Sequence, residues 1–172
     1  MLTFIFERAS VYDGSGRAPF VADVGTSADR IALIGHLSEH DAFRRFDCEG
    51  LALAPGFIDV HSHSDENWLV SGAAASKIVQ GVTTEIGGNC GSSVAPLRAY
   101  AMDRMRHGAK RIGIDVQWSS FDEFFGEVER AGVSLNIASL VGLGTTRACV
   151  AGPSQRRLER DELREQAGLV RE

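Results

Sequence analysis

Cysteine is scarce in this sequence: three residues, Cys48, Cys90 and Cys149, stand at wide spacing. An odd number of distant cysteines argues against a disulfide framework and for a reducing compartment. The N-terminus has neither the basic start nor the long apolar core of a signal peptide. The uncharged stretches are shorter than the roughly 20 apolar residues that span a membrane. These absences predict a cytoplasmic protein with no membrane partner.

Positive charge is also limited. The 172 residues include 18 Lys and Arg against 23 Asp and Glu, which gives a formal net charge of −5. The basic residues are scattered rather than gathered into a dense patch, so we expect no nucleic-acid partner. Apolar residues make up 44% of the sequence and charged residues 24%, which is typical of a globular protein with a packed core.

Two regions differ in their pattern of secondary structure. Residues 1–54 contain short strands at close spacing, as in a small β-sandwich, with a helical turn or a loop at 41–46. From residue 55 onward, predicted strands at 56–60, 82–86 and 133–141 alternate with helices. Strand, helix and strand joined by short connections predict parallel strands with right-handed crossovers. The chain is therefore expected to have an α/β fold after an all-β start.

The helical segments carry recognisable boundaries. We predict one helix over residues 68–80, which ends at Gly81. A second helix begins at Ser120, where Ser120 and Glu123 form a capping box, and ends at Gly132. A third, amphipathic helix is predicted over residues 158–172.

Residues able to bind a metal follow two of the predicted strands. His61 and His63 come directly after the first strand, and Cys90 follows the second. Residues i and i+2 of a strand point to the same side, so both imidazoles and the carboxylate of Asp59 share one face. Neighbouring parallel strands end at the same edge of a sheet. Imidazole and thiolate together favour zinc, and the sequence predicts a zinc site formed by His61, His63 and Cys90.

Other interpretations of Cys90 stay open on the residues alone. A free cysteine is often a small buried side chain. A thiol beside an imidazole can also be a nucleophile. The glycines at 87, 88 and 91 could instead form a phosphate-binding loop, although the usual glycine-rich nucleotide-binding patterns are absent.

Three motifs carry a resemblance to a known family. Residues 55–63, PGFIDVHSH, resemble the PGFIDxHxH sequence that closes the first barrel strand of the metal-dependent amidohydrolase superfamily. Residues 76–84, SKIVQGVTT, and 88–91, GNCG, resemble its N-acyl-D-amino-acid deacylase, or D-aminoacylase, branch. The resemblance implies that Cys90 is a metal ligand together with His61 and His63. Asp59 is a candidate for orienting one of the imidazoles.

The resemblance also implies a fold. Residues 1–54 would be the N-terminal part of a β-sandwich domain. Residues 55–172 would be the first three β/α units of a TIM-type (β/α)₈ barrel. A complete barrel needs about 250 residues, so we expect this chain to be an N-terminal fragment of a longer enzyme.

The implied reaction is metal-dependent hydrolysis of a linear amide, the deacylation of a small-molecule N-acyl-D-amino acid, with one or two Zn²⁺ ions in the complete enzyme. The branch usually has Gly-His-Gly where this chain has Leu143 between two glycines, which leaves its substrate preference open. Two other hypotheses remain: another amidohydrolase, such as a dihydroorotase or hydantoinase relative, and a non-enzymatic small α/β protein.

The purified 172-residue chain is expected to show no deacylase activity. The family's general base, an aspartate, and its further metal-binding histidines are expected beyond Glu172, so this chain contains no catalytic residue of its own. The measurement is the release of free amino acid from N-acyl-D-amino acids with zinc added. Metal-dependent turnover by this chain alone would contradict the expectation.

Overall fold

A computed structural model of the chain describes residues 1–171. These residues divide into two compact units, the first at Met1–Pro55 and the second beginning at Gly56. Among residues 1–171, no helix combines the length and the apolar character that crossing a membrane requires.

The first unit is a five-stranded sheet built around its first strand. The strands are β1 (Leu2–Val11), β2 (Phe20–Ser27), β3 (Arg30–Gly35), β4 (Ala42–Asp47) and β5 (Ala52–Leu53). Their order is β3-β2-β1-β4, and β5 pairs with the end of β1. The pairs β1–β2 and β2–β3 are antiparallel, whereas β4 and β5 run parallel to β1.

The helical turn or loop predicted at 41–46 is wrong, because residues 42–46 belong to β4. Their pairing partner is distant in sequence: Leu2 lies opposite Ala42 and Phe6 opposite Phe46. The Phe46 ring stacks on Phe6 with 5.3 Å between the ring centroids. Long-range pairing and aromatic contact therefore determine this strand, and neither is visible in the local sequence pattern.

Asp23 is a buried carboxylate that holds two backbone segments of the first unit together. Its oxygens accept hydrogen bonds from the backbone N–H of Arg8 and from that of Leu37, each at 2.8 Å. Arg8 has a φ of +56° and lies where the β1–β2 register shifts. The hydrogen bond from Leu37 and then that from Arg8 hold the pKa of Asp23 below its ordinary value, against the opposing effect of burial. Asp23 is therefore ionised at neutral pH and stabilises this bulge.

Replacing Asp23 with Asn is expected to destabilise the first unit by about 1–3 kcal/mol at neutral pH, because an amide offers one oxygen to two donors. Since the pKa of Asp23 is lowered on folding, its stabilising contribution is present above the ordinary aspartate pKa. That contribution is lost as the pH falls through the lowered value. Urea unfolding between neutral pH and pH ~2 should therefore show a weaker acid dependence in Asp23→Asn than in the wild type. Equal pH profiles would rule this out.

The second unit contains a three-stranded parallel sheet. Its strands are β6 (Phe57–Asp59), β7 (Val82–Gly87) and β8 (Asn136–Ser139), in the order β6-β7-β8. The helices are α1 (Asn67–Val70), α2 (Ala75–Ile78), α3 (Ala99–Lys110), α4 (Phe121–Ala131), α5 (Leu143–Ala151) and α6 (Arg160–Leu169). The predicted parallel arrangement of the three strands is present.

The single helix predicted over 68–80 is wrong: the segment forms α1 and α2 with a break between them. At the break, Gly72 approaches other backbone closely, since a Cβ there would lie 2.6 Å from the carbonyl oxygen of Gly132. The Gly72 carbonyl also accepts a hydrogen bond from the N–H of Ser134 at 2.8 Å. Contact with a distant segment thus interrupts a sequence whose local composition favours one helix.

The boundaries predicted for α4 are confirmed. Ser120 and Glu123 form the reciprocal capping box, and Gly132 adopts the left-handed conformation at the C-terminal cap. The third strand is shorter than predicted, covering four residues. The helix predicted over 158–172 is observed over the shorter range of α6, Arg160–Leu169, and Glu172 lies outside the described residues.

Aromatic side chains form the centre of the second unit's core. Phe124 on α4 is fully buried and packs between Trp118 and Trp68, with ring centroids 5.2 and 6.1 Å away. The indole N–H of Trp118 donates to the Val94 carbonyl at 2.9 Å, so the buried ring leaves no unpaired donor. The same cluster includes buried residues of α3, α4, α5 and α6, and Ile137 of β8 packs against it.

Candidate metal centre

Two parallel neighbouring strands place the candidate ligands at one edge of the sheet. Strands β6 and β7 pair in parallel, with Asp59 opposite Glu85. His61 and His63 lie just beyond the end of β6, and Cys90 lies just beyond the end of β7. The predicted juxtaposition of the three side chains is therefore what the structure shows.

The donor atoms of His61, His63 and Cys90 all lie within 4.8 Å of one another. The Cys90 Sγ is 3.4 Å from the His61 Nε2, and the two imidazole centroids are 5.5 Å apart. Zinc–nitrogen bonds of about 2.05 Å and zinc–sulfur bonds of about 2.3 Å at a tetrahedral angle give an N···S separation of about 3.6 Å. The separation of the Cys90 and His61 donor atoms suits one shared zinc ion. All three side chains are exposed, so they leave room for further ligands.

The loop that carries Cys90 depends on close backbone contacts. Gly88 has a φ of +73°, and a Cβ there would lie 2.0 Å from the Leu140 carbonyl oxygen. Cys90 itself has a φ of +54°, a conformation that non-glycine residues rarely adopt. Close packing against the segment that follows β8 therefore restricts position 88 of this loop to glycine.

Two buried side chains join this loop to the histidine segment. The Asn89 Nδ2 donates to the Ser62 carbonyl at 3.2 Å and to the Ile86 carbonyl at 2.8 Å. The Asp65 carboxylate accepts from the Gly88 N–H at 2.7 Å. Asp65 is buried, and its role is structural. These bonds fix the ends of β6 and β7 relative to each other.

Asp59 contacts the histidine segment through the backbone. Its Oδ1 accepts from the backbone N–H of His61 at 3.2 Å, and its Oδ2 accepts from the Lys77 Nζ at 2.5 Å. The hydrogen bond to Lys77 and then that from His61 lower the pKa of Asp59. The predicted partner of this carboxylate was an imidazole ring. Asp59 instead accepts a hydrogen bond from the backbone N–H of His61.

Glu85 is a buried carboxylate that sequence reasoning missed. It lies within β7 and is 1% exposed. Its oxygens accept from the Ser62 hydroxyl, from the Trp68 Nε1 at 2.8 Å and from the Lys77 Nζ at 3.1 Å. The signal available in the sequence was a charged residue inside an otherwise uncharged strand, two positions before its end.

The other histidines, Cys149 and Leu143 are not part of this cluster of three candidate ligands. Leu143 is the first residue of α5 and is 62% exposed. Cys149 is buried, and burial raises the pKa of its thiol. The remaining histidines, His36, His40 and His107, are exposed. The one cluster of three or more His, Cys, Asp or Glu donors found among residues 1–171 is His61, His63 and Cys90.

The sequence was compared with protein-family models. A model described as the amidohydrolase family matches residues 44–171. The chain belongs to the amidohydrolase family. The resemblance seen in residues 55–91 is therefore confirmed at the level of the family.

Within this family the chain is similar to deacylases of D-amino-acid derivatives. It is 37% identical over 163 residues to D-aminoacylase of Alcaligenes xylosoxydans xylosoxydans, covering 95% of this chain and 34% of that protein. It is 36% identical over 167 residues to N-acyl-D-glutamate deacylase of the same organism, covering 92% of this chain and 34% of that protein. The chain spans about a third of the length of these relatives.

Solved structures agree with the sequence comparison. The crystal structure of D-aminoacylase matches with a TM-score of 0.85 and 35% identity, covering 99% of this chain and 36% of that chain. N-acyl-D-glutamate deacylase from Bordetella bronchiseptica, in complex with zinc and a phosphonate mimic of the tetrahedral intermediate, matches with a TM-score of 0.85 and 30% identity, covering 98% of this chain and 35% of that chain. The α/β fold of this chain thus matches the amidohydrolase domain of D-aminoacylase.

Proposed function

We propose that this chain supplies the first metal ligands of a zinc-dependent amidohydrolase that deacylates N-acyl-D-amino acids. The observation that carries the proposal is the convergence of the His61, His63 and Cys90 donor atoms within 4.8 Å at the ends of adjacent parallel strands. The similarity to D-aminoacylase and to N-acyl-D-glutamate deacylase supports the substrate class.

The donor set has the chemistry of a zinc site. Two imidazoles and one thiolate are ligands that zinc accepts at tetrahedral geometry. His61, His63 and Cys90 would hold the ion, and ligands for a second ion would come from outside residues 1–171. When bound, zinc would lower the pKa of a water molecule and polarise the acyl carbonyl. The similar N-acyl-D-glutamate deacylase structure contains zinc, which supports this choice of metal.

The chain's own residues have three tasks in this proposal. The two imidazoles and the Cys90 thiolate bind the ion, and their exposure leaves one side open to water and substrate. Asp59 fixes the backbone of His61 through its N–H. The loop after β7 places the thiol within reach of the first imidazole. No residue within 1–171 is assigned as the general base.

The proposed domain organisation follows from the same relationship. We infer that residues 1–54 form the N-terminal part of a β-sandwich domain. Residues 55–172 would form the first three β/α units of a (β/α)₈ barrel. The order β6-β7-β8, all parallel and with helices between the strands, supports the barrel. The first unit forms a single five-stranded sheet, which would contribute one layer of the sandwich.

Metal binding is tested with Cys90→Ser. The wild-type protein titrated with Co²⁺ is expected to show a thiolate-to-cobalt charge-transfer band in the near ultraviolet, and the variant is expected to lose that band. Zinc affinity in the variant should fall by at least about tenfold, because a direct ligand contributes no less than the outer hydrogen-bond partners of such sites.

The matched control for this experiment is Cys48→Ser, which changes a half-buried thiol of the first unit. This variant should keep both the cobalt band and the zinc affinity. A band of undiminished intensity in Cys90→Ser would contradict the assignment of the thiolate.

The activity is tested on the native polypeptide that carries this sequence, isolated from its source cells and loaded with zinc. It is expected to hydrolyse N-acyl-D-amino acids faster than the L enantiomers and to lose this activity in the presence of a chelator. Amino-acid release from both enantiomers is the measurement. A zinc-loaded enzyme that opens cyclic amides but leaves linear N-acyl-D-amino acids intact would overturn the proposed substrate class.

A further inference from the structure

One buried ionised group takes no part in the proposed metal chemistry. Glu85 is 1% exposed and lies two residues before the end of β7. Removing a carboxylate from water is costly unless hydrogen bonds and an opposite charge compensate. A glutamate at this position is therefore expected only where the surroundings use its charge.

The surroundings of Glu85 provide that compensation. Burial opposes ionisation, but hydrogen bonds from Ser62 and Trp68, followed by Ser64 and Lys77, hold the pKa of Glu85 below its ordinary value. Lys77 lies 3.1 Å from the Glu85 carboxylate and 2.5 Å from that of Asp59. The ammonium group is thus shared by two carboxylates on neighbouring parallel strands.

Ser62, the residue between the two histidines, is the first link from Glu85 to the metal site. Its hydroxyl donates to Glu85, and its carbonyl accepts from the Asn89 side chain at 3.2 Å. Asn89 directly precedes Cys90. Ser62 is therefore held at two points. Glu85 binds its hydroxyl, and the loop that carries Cys90 binds its backbone carbonyl.

Asp59 and Lys77 form the second link. Asp59 receives the Lys77 ammonium on one oxygen and the His61 backbone N–H on the other, at 2.5 and 3.2 Å. Glu85 fixes Lys77 from the buried side. The backbone N–H of His61 is therefore linked to the buried charge of Glu85 through Asp59 and Lys77.

We propose that Glu85 is a positioning residue of the metal site. Its carboxylate aligns the His61-Ser62-His63 segment through Ser62 and through the Lys77–Asp59 pair, so that both imidazoles meet the Cys90 thiolate at one ion. This inference rests on the proposed function, because it assigns Glu85 to the same metal site.

The test is Glu85→Gln in the full chain. The amide keeps the size of the side chain but loses the charge and directs N–H donors at Ser62 or at Lys77. Zinc affinity, measured by competition with a chromogenic chelator, is expected to fall by about 10-fold or more, as for other outer partners of metal ligands. The thiolate-to-cobalt band is expected to shift or weaken.

A matched control separates alignment of the site from general stability. Asp23→Asn makes the same carboxylate-to-amide change at a buried residue (7% exposed) of the first unit. This variant is expected to lose stability to urea while keeping the zinc affinity and the cobalt spectrum of the wild type. If Glu85 had a purely structural role, Glu85→Gln would also lose stability while keeping the zinc affinity and the cobalt spectrum of the wild type.

A second variant keeps the inference testable if Glu85→Gln does not fold. Ser62→Ala removes one hydroxyl and leaves Glu85 paired with Trp68 and Lys77, and it is expected to bind zinc more weakly than the wild type. Wild-type zinc affinity in Ser62→Ala and in any folded Glu85→Gln would overturn the positioning role and leave the proposed function standing. Failure of the wild-type protein itself to bind cobalt or zinc would overturn both.

Discussion

The parallel pairing of β6 with β7 is the constraint on which the candidate site depends. Neighbouring parallel strands end at the same edge of a sheet. His61 and Cys90, about thirty residues apart in sequence, therefore lie close together. The pairing is reinforced beyond the strands, where Asn89 and Asp65 join the two loops by buried hydrogen bonds. The aromatic core around Phe124 includes Trp68, whose indole N–H donates to Glu85 of β7.

Local sequence was sufficient for features whose causes are local. The candidate ligands directly follow predicted strand ends in the sequence, and the capping box at Ser120 needs no partner outside its own helix. Their convergence could be predicted for that reason, while the role of His61, His63 and Cys90 as ligands stays a prediction. Family membership was likewise predictable, because each of the three motifs within residues 55–91 is a continuous stretch of sequence.

Features with distant causes were missed. Strand β4 exists because β1 offers it a free edge and Phe6 stacks on Phe46. The break between α1 and α2 exists because Gly72 meets the backbone of Gly132. Glu85 acquires its partners only when the segments carrying Ser62, Trp68 and Lys77 have assembled around β7. In each case the deciding contact joins residues that no local pattern brings together.

The left-handed backbone at Cys90 affects which residue folding favours at this position. A non-glycine residue at a φ of +54° costs about 1–2 kcal/mol relative to an ordinary backbone conformation, and glycine would avoid that cost. Folding alone therefore favours glycine at position 90. The proposed metal site would need the sulfur of cysteine, so stability and the proposed activity would favour different residues at position 90.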